Sequence, residues 1–140
     1  MANDELNKVE LPALEQLQSL GWSYVEGAQL SPDESDERSS WKDVVLEKRL
    51  IESLKRINPW INDENLRKVV RDLTKTLYPN LVEANQAIWT QINQSVSVMQ
   101  DLGKGNKSQT VHIIDFENIE NNEFLCTNQF KVSGVNQNII

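Results

Sequence analysis

Residues 95–116 read SVSVMQDLGKGNKSQTVHIIDF, and it is here that the apolar period of the chain changes from helical to two. SVSVMQ and TVHIIDF alternate as paired strands do, and DLGKGNKSQ between them carries two glycines and polar residues suited to a turn. The stretch therefore predicts a β-hairpin. Downstream, ENIENNE reads as another polar turn and FLCTNQFKV (124–132) as a further strand.

Upstream the pattern is helical. A short helix is expected from about Pro12 to Leu20, with Leu11, Leu14, Leu17 and Leu20 on one side and Gly21 positioned to stop it. WSYVEG (22–27) alternates as a strand would, and LSPDESDERSS is expected to be a mobile acidic loop. A second helix is expected to start at Ser40, with Asp43 completing a capping box. Leu46, Leu50, Ile51, Leu54 and Ile57 would form its apolar stripe, and Asn58 before Pro59 would end it. Asn62 is a suitable N-cap for a third helix, with Leu66, Val69, Val70, Leu73 and Leu77 on one face and Tyr78 and Pro79 closing it. Asn80 opens a fourth, whose apolar face would comprise Leu81, Ile88, Trp89 and Ile92. Helices first and strands last point to an α+β fold. The expected organisation is a helical amino-terminal region over residues 1–94, then a β-hairpin and a first core strand over residues 95–140. The final VSGVNQNII would leave that strand at an open sheet edge.

Charge and composition exclude several functions. The chain has 140 residues and a formal net charge of −7. It therefore does not read as a general nucleic-acid binder, whose affinity rests on Lys and Arg. Basic residues gather between Lys42 and Lys75 but alternate with Glu47, Glu52, Asp63, Glu64 and Asp72, as on a mixed, solvated helix surface. Cys126 is the single cysteine, which rules out an intrachain disulfide and matches a reducing cytoplasm. No run approaches the roughly 20 apolar residues of a membrane span, so no membrane partner is expected.

Chemistry-bearing patterns are sparse. Gly103-Lys104-Gly105 lacks the spacing of a phosphate-binding P-loop and lies between strands, so no cofactor is expected in this segment. His112, the single histidine, sits mid-strand with no nucleophile in a triad pattern. Cys126 has no adjacent cation to stabilise a thiolate and reads as a structural thiol. The acids around Pro32-Asp33 lack an oxygen-ligand spacing with a central glycine. Trp22, Trp41, Trp60 and Trp89 lie near element boundaries or on apolar stripes, and packing is their expected role.

Four blocks, ELPALEQLQSLGWSYVEG, SSWKDVVLEKRLIESLKRINPWI, NLVEANQAIW and TVHIIDFENIENNEFLCTNQFKVSG, together resemble the start of the R subunits of type I restriction-modification enzymes (the HsdR family). The resemblance implies an incomplete restriction-endonuclease-like nuclease domain of the PD-(D/E)xK kind. In that family a Pro-Asp strand and a Glu-x-Lys strand follow, and ATP-driven motor domains lie beyond them. The Pro-Asp strand would be expected just after VSGVNQNII, so the chain would finish before its catalytic motifs, and Pro32-Asp33 is too early to replace them. Glu47 in VVLEKRL matches an auxiliary metal-holding glutamate of related nucleases, although it also suits a surface role.

The resemblance further implies Mg²⁺ and ATP as cofactors of the intact enzyme. It implies DNA and the methyltransferase and specificity subunits as partners. Alone, the chain is expected to be inactive as a nuclease. Barrier lowering for such a reaction is on the order of 8–23 kcal/mol, whereas one electrostatic group supplies about 3 kcal/mol. The alternative is a non-catalytic interaction protein that binds restriction-modification subunits.

Overall fold

The Asn62 side chain accepts a hydrogen bond from the Asn65 amide at 2.8 Å, and helix α4 (Asp63–Thr74) starts there. Its beginning was thus legible in a single residue type. This computed structural model describes residues 2–75, 79–134 and 138–139. It divides into two compact units, residues 47–122 and residues 1–46 with 123–140. The fold is α+β.

The unit spanning residues 47–122 is built from α3 (Glu47–Ile57), α4, α5 (Leu81–Gln94) and the antiparallel strands β2 (Val96–Asp101) and β3 (Asn106–Val111). Val96 pairs with Val111 and Asp101 with Asn106. Alternation then places Val98 and Val111 in a buried cluster with Leu54, Leu66, Val69 and Val70. Leu50, Ile51, Trp60, Ile61, Leu73 and Ile113 pack around it. Each fully buried aliphatic side chain contributes about 1.5–3 kcal/mol, so this cluster is what joins α3 and α4 to the hairpin.

Two amide side chains fasten the turn between α3 and α4. Asn58, almost fully buried, donates to Leu54 O at 3.0 Å and His112 O at 2.8 Å, and accepts from His112 N at 2.9 Å. Gln100 accepts from Asn62 N and Asn65 Nδ2, both at 3.0 Å, and donates to Trp60 O at 2.6 Å. Buried amides need such partners, because leaving one unsatisfied costs about 1–3 kcal/mol. The stretch NPWIN (58–62) is therefore stitched to the hairpin at both ends.

Several expectations are corrected here. Helix α3 starts at Glu47 rather than Ser40. Asp43 does accept from Ser40 N, at 3.1 Å, but the same oxygen takes Ser39 N and Ser39 Oγ, at 3.1 and 2.7 Å. The carboxylate therefore closes a local turn instead of capping a helix, the competition typical of Asp and Ser. Helix α5 begins after Asn80 as expected, with Asn80 accepting from Glu83 N at 2.9 Å. Its presumed apolar face is another matter, since Leu81 is 77% and Trp89 63% exposed while Ala84 is buried. Leu77 and Tyr78 lie outside the described residues.

In the other unit, α1 (Ala2–Glu5) and a π-helical segment (Leu6–Glu10) precede α2 (Leu11–Ser19), which has Pro12 in its first turn. Gly21, at φ +97°, lies just beyond its end. Leu14 is the buried member of its stripe, whereas Leu20 is 71% exposed. Strand β1 (Ser23–Tyr24) runs parallel to β4 (Leu125–Cys126). Gly27 follows, its amide 3.0 Å from Asn128 O, and a Cβ there would run into the backbone of Asn128 and Gln129. The stretch 124–132 is not one strand: β4 covers two residues, and β5 (Val132–Ser133) pairs antiparallel with β6 (Asn138–Ile139). The expected last strand is thus joined on one side.

The acidic loop carries an internal anchor. Arg38, 3% exposed, donates to Leu30 O at 3.0 Å, Asp43 O at 3.1 Å and Lys131 O at 2.9 Å. Its guanidinium lies 4.2 Å from the Phe130 ring centroid and 5.5 Å from that of Trp41. One long cation bonded through its planar fork organises a segment that composition alone marks as solvated.

Candidate functional site

Helices α3 and α4 enclose a groove of about 460 Å³. Ile51 from α3 and Leu66 and Val70 from α4 supply its apolar lining. Its charged lining comprises Glu47 and Lys55 from α3, and Asp63, Arg67 and Arg71 from α4 with Lys75 just beyond. Glu47, Ile51 and Lys55 recur every four residues, as do Asp63, Arg67, Arg71 and Lys75. Four-residue spacing stacks side chains along one helix face. Glu64, Lys68 and Asp72 form the neighbouring row and are not part of the groove lining.

The basic stretch that reads as mixed in sequence is therefore sorted in space, with four cations and two carboxylates in the groove. The four-residue row through Arg67, Arg71 and Lys75 was the signal available for this, and reading the charges linearly missed it. Asn58 and Gln100, which hold the α3–α4 turn, were also missed as polar anchors. Their partners lie 54 and about 40 residues away.

Glu47 is exposed, in the first turn of α3. Its position favours a carboxylate through the helix dipole without any ligand. Among the described residues no three His, Cys, Asp or Glu side chains come together to hold a metal ion. Mg²⁺ dehydrates reluctantly and needs converging oxygens. Glu47 and Asp63, the two carboxylates of a groove that also carries four cations, do not supply them, so Glu47 by itself does not fit a metal centre.

The amides of Gly103 and Gly105, which a phosphate-binding loop would present, are taken up by Asp101 Oδ1 at 2.7 and 3.1 Å. The other sequence candidates have structural surroundings. His112 gives its backbone amide and carbonyl to Asn58, just after β3. Cys126 is half-buried and its thiol faces Ser23 O at 3.4 Å. Trp22 packs edge-on against Phe124 at 5.2 Å between centroids. Trp41 lies beside Arg38 and Lys131, and Trp60 packs against the core. Trp89 departs from the expected packing role by its exposure.

Asp115 binds its own loop. Its carboxylate accepts from Glu117 N and Asn118 N at 3.1 and 2.9 Å and from Asn121 Nδ2 at 3.0 Å. These bonds, led by that of Asn118, hold its carboxyl below the usual range. Asn122 returns the contact, accepting from Asp115 N at 2.9 Å and donating to Asp115 O at 2.8 Å. The polar turn at residues 115–122 thus satisfies itself. No helix among the described residues is long and apolar enough to cross a membrane.

Relatives agree with the sequence blocks. The chain is 36% identical over 130 residues to the MjaIXP type I restriction enzyme endonuclease subunit of Methanocaldococcus jannaschii, covering 93% of this chain and 12% of that protein. It is 32% identical over 127 residues to the HindI endonuclease subunit of Haemophilus influenzae, covering 90% of this chain and 12% of that protein. A second M. jannaschii subunit, MjaVIIIP, is 30% identical over 146 residues, covering 96% of this chain and 13% of that protein. The chain thus spans about an eighth of the length of these relatives. No solved structure matches it. Residues 4–140 match the family described as the type I restriction enzyme R protein N terminus, and the chain belongs to that family.

Proposed function

We propose that this chain serves as the amino-terminal segment of a type I restriction endonuclease R subunit and works within an intact enzyme that restricts DNA using ATP. The observation that carries this reading is the family match over residues 4–140, set beside relatives of which the chain spans about an eighth. In this reading the segment scaffolds the nuclease part. Phosphodiester hydrolysis belongs to groups supplied elsewhere in the subunit, because metal-assisted displacement needs a clamp of several oxygens. Mg²⁺ and ATP are cofactors of the whole enzyme, and DNA and the methyltransferase and specificity subunits are its partners. The cytoplasm is where these meet. Glu47 is assigned an auxiliary place beside the metal, to be completed by oxygens from other parts of the subunit.

The test is a segment exchange. Replacing the equivalent residues of the H. influenzae relative with this chain should retain ATP-dependent restriction of unmodified DNA. Loss of restriction by a chimera that still folds and assembles would overturn the reading. Incubated alone with plasmid and Mg²⁺, the chain should leave DNA intact, and robust cutting would overturn the scaffold assignment.

A further inference from the structure

The groove cations differ from Arg38 and Arg56, which are bonded within the fold. Arg38 is bonded to three backbone carbonyls, and Arg56 donates to Asn121 O and Ser53 Oγ. Lys55, Arg67, Arg71 and Lys75 are all exposed, and the Lys8–Asp4 ion pair involves none of them. Arg67, Arg71 and Lys75 follow at four-residue steps, each about 6 Å along a helix axis. Lys55 faces the same groove from α3.

We infer that the groove between α3 and α4 binds the phosphate backbone of duplex DNA, with Lys55, Arg67, Arg71 and Lys75 as its phosphate contacts. Choosing DNA among polyanions rests on the proposed function, whereas the location of the contact rests on this charge pattern alone. Evenly spaced cations match an anion that repeats along a line better than one isolated phosphate. Guanidinium forks also suit phosphate oxygens, which they can engage with two parallel bonds. The apolar lining of Ile51, Leu66 and Val70 keeps water from one side of the charges and concentrates their field. A chain of net charge −7 repels DNA over much of its surface, so attraction is confined to such a sorted patch. Glu47 and Asp63 narrow it further. The contact is to backbone and carries no base specificity.

The experiment measures fluorescence anisotropy of a labelled 20-base-pair duplex titrated with the 140-residue chain, in EDTA, across a range of salt concentrations. Each neutralised phosphate contributes about 0.9 to the slope of log affinity against log salt. Four contacts therefore predict a slope of about −3.6, and the Arg67→Gln/Arg71→Gln variant should lose about half of it. Its affinity at low salt should fall about tenfold or more, since non-specific binding is largely this electrostatic term. Lys55→Gln/Lys75→Gln, altering the same groove from other positions, should behave alike. Lys68→Gln/Lys107→Gln removes equal charge off the groove and should stay within about twofold. Thermal melts accompany each variant, so that unfolding is not mistaken for lost contact.

Absence of binding by the unaltered chain at the lowest salt would overturn the inference. So would equal loss in the off-groove variant, or polyglutamate or inorganic phosphate competing as well as unlabelled DNA. The segment exchange separates the two ideas. A functional chimera with no groove binding sinks the groove alone, and a dead but assembled chimera with intact groove binding sinks the subunit reading alone.

Discussion

Asn58 holds both backbone polar groups of His112, accepting from its amide at 2.9 Å and donating to its carbonyl at 2.8 Å. One side chain thus stands in for a strand partner and ties the end of α3 to the end of β3. Removing it orphans the amide and the carbonyl of His112. Asn58→Ala should therefore destabilise residues 47–122 by about 3 kcal/mol. A thermal melt checks the loss, and hydrogen exchange at the His112 amide should report it first. A change under about 0.5 kcal/mol would show that the two groups find other partners.

Gln100 does the same work at the start of α4, with Trp60 O, Asn62 N and Asn65 Nδ2 as partners. Gln100→Ala should cost about 1–3 kcal/mol. The double change with Asn65→Ala should cost less than the sum of the single changes, because their side chains share a bond. Strict additivity in denaturant melts would deny the coupling.

Arg38 joins Leu30 O, Asp43 O and Lys131 O. A lysine keeps the charge but not the planar fork, so Arg38→Lys should destabilise its unit by about 2–3 kcal/mol. Proteolysis should then open the loop at residues 31–39 first. Resistance there equal to that of the unaltered chain would contradict the anchoring role.

Two carboxyls should set the acid limb of stability. Asp43 is held below its ordinary value near 3.8, first by the Ser39 hydroxyl, and Asp115 first by the Asn118 amide. A carboxyl that is more acidic folded than unfolded stabilises the fold above its unfolded value, and the benefit disappears as pH falls through the folded one. Stability should accordingly be insensitive to these groups at neutral pH and decline below about pH 4. Asp115→Asn should make that decline shallower, as read from urea midpoints between pH 2 and 7. An unchanged acid limb in both Asp115→Asn and Asp43→Asn would refute the assignment.

Glu47→Gln should cost this chain less than about 1 kcal/mol, the usual size of a dipole contribution in a first helical turn. In the intact R subunit of a relative, the equivalent change should lower Mg²⁺-dependent cleavage while leaving ATP hydrolysis in place. Unimpaired cleavage would remove Glu47 from the metal and leave it a groove residue.

Where an element is decided by atoms a few residues apart, the chain could be read directly. Asn62 and Asn80 cap α4 and α5 through amides three residues on, Pro59 follows the end of α3, and the two-residue period around Gly103 and Gly105 forms the hairpin. The family itself was also legible, because ordered agreement along most of the chain needs no coordinates. Local rules failed where a second local pattern competed or where no neighbour covered the stripe. Ser40 and Asp43 satisfy the capping pattern yet make a turn beside Arg38, and Trp89 keeps the helical spacing of an apolar stripe but is itself exposed.

Sequence by itself determined the helix starts at Asn62 and Asn80, the hairpin and the family, since each depends on neighbouring residues or on linear order. Tertiary structure decided that Asn58 and Gln100 are latches, that Arg38 is an anchor, and that the cations of α3 and α4 share a groove. The physical reason is that burial, hydrogen-bond partnership and summed charge depend on which residues meet in space, and chain spacing fixes those meetings only within one helix or one turn.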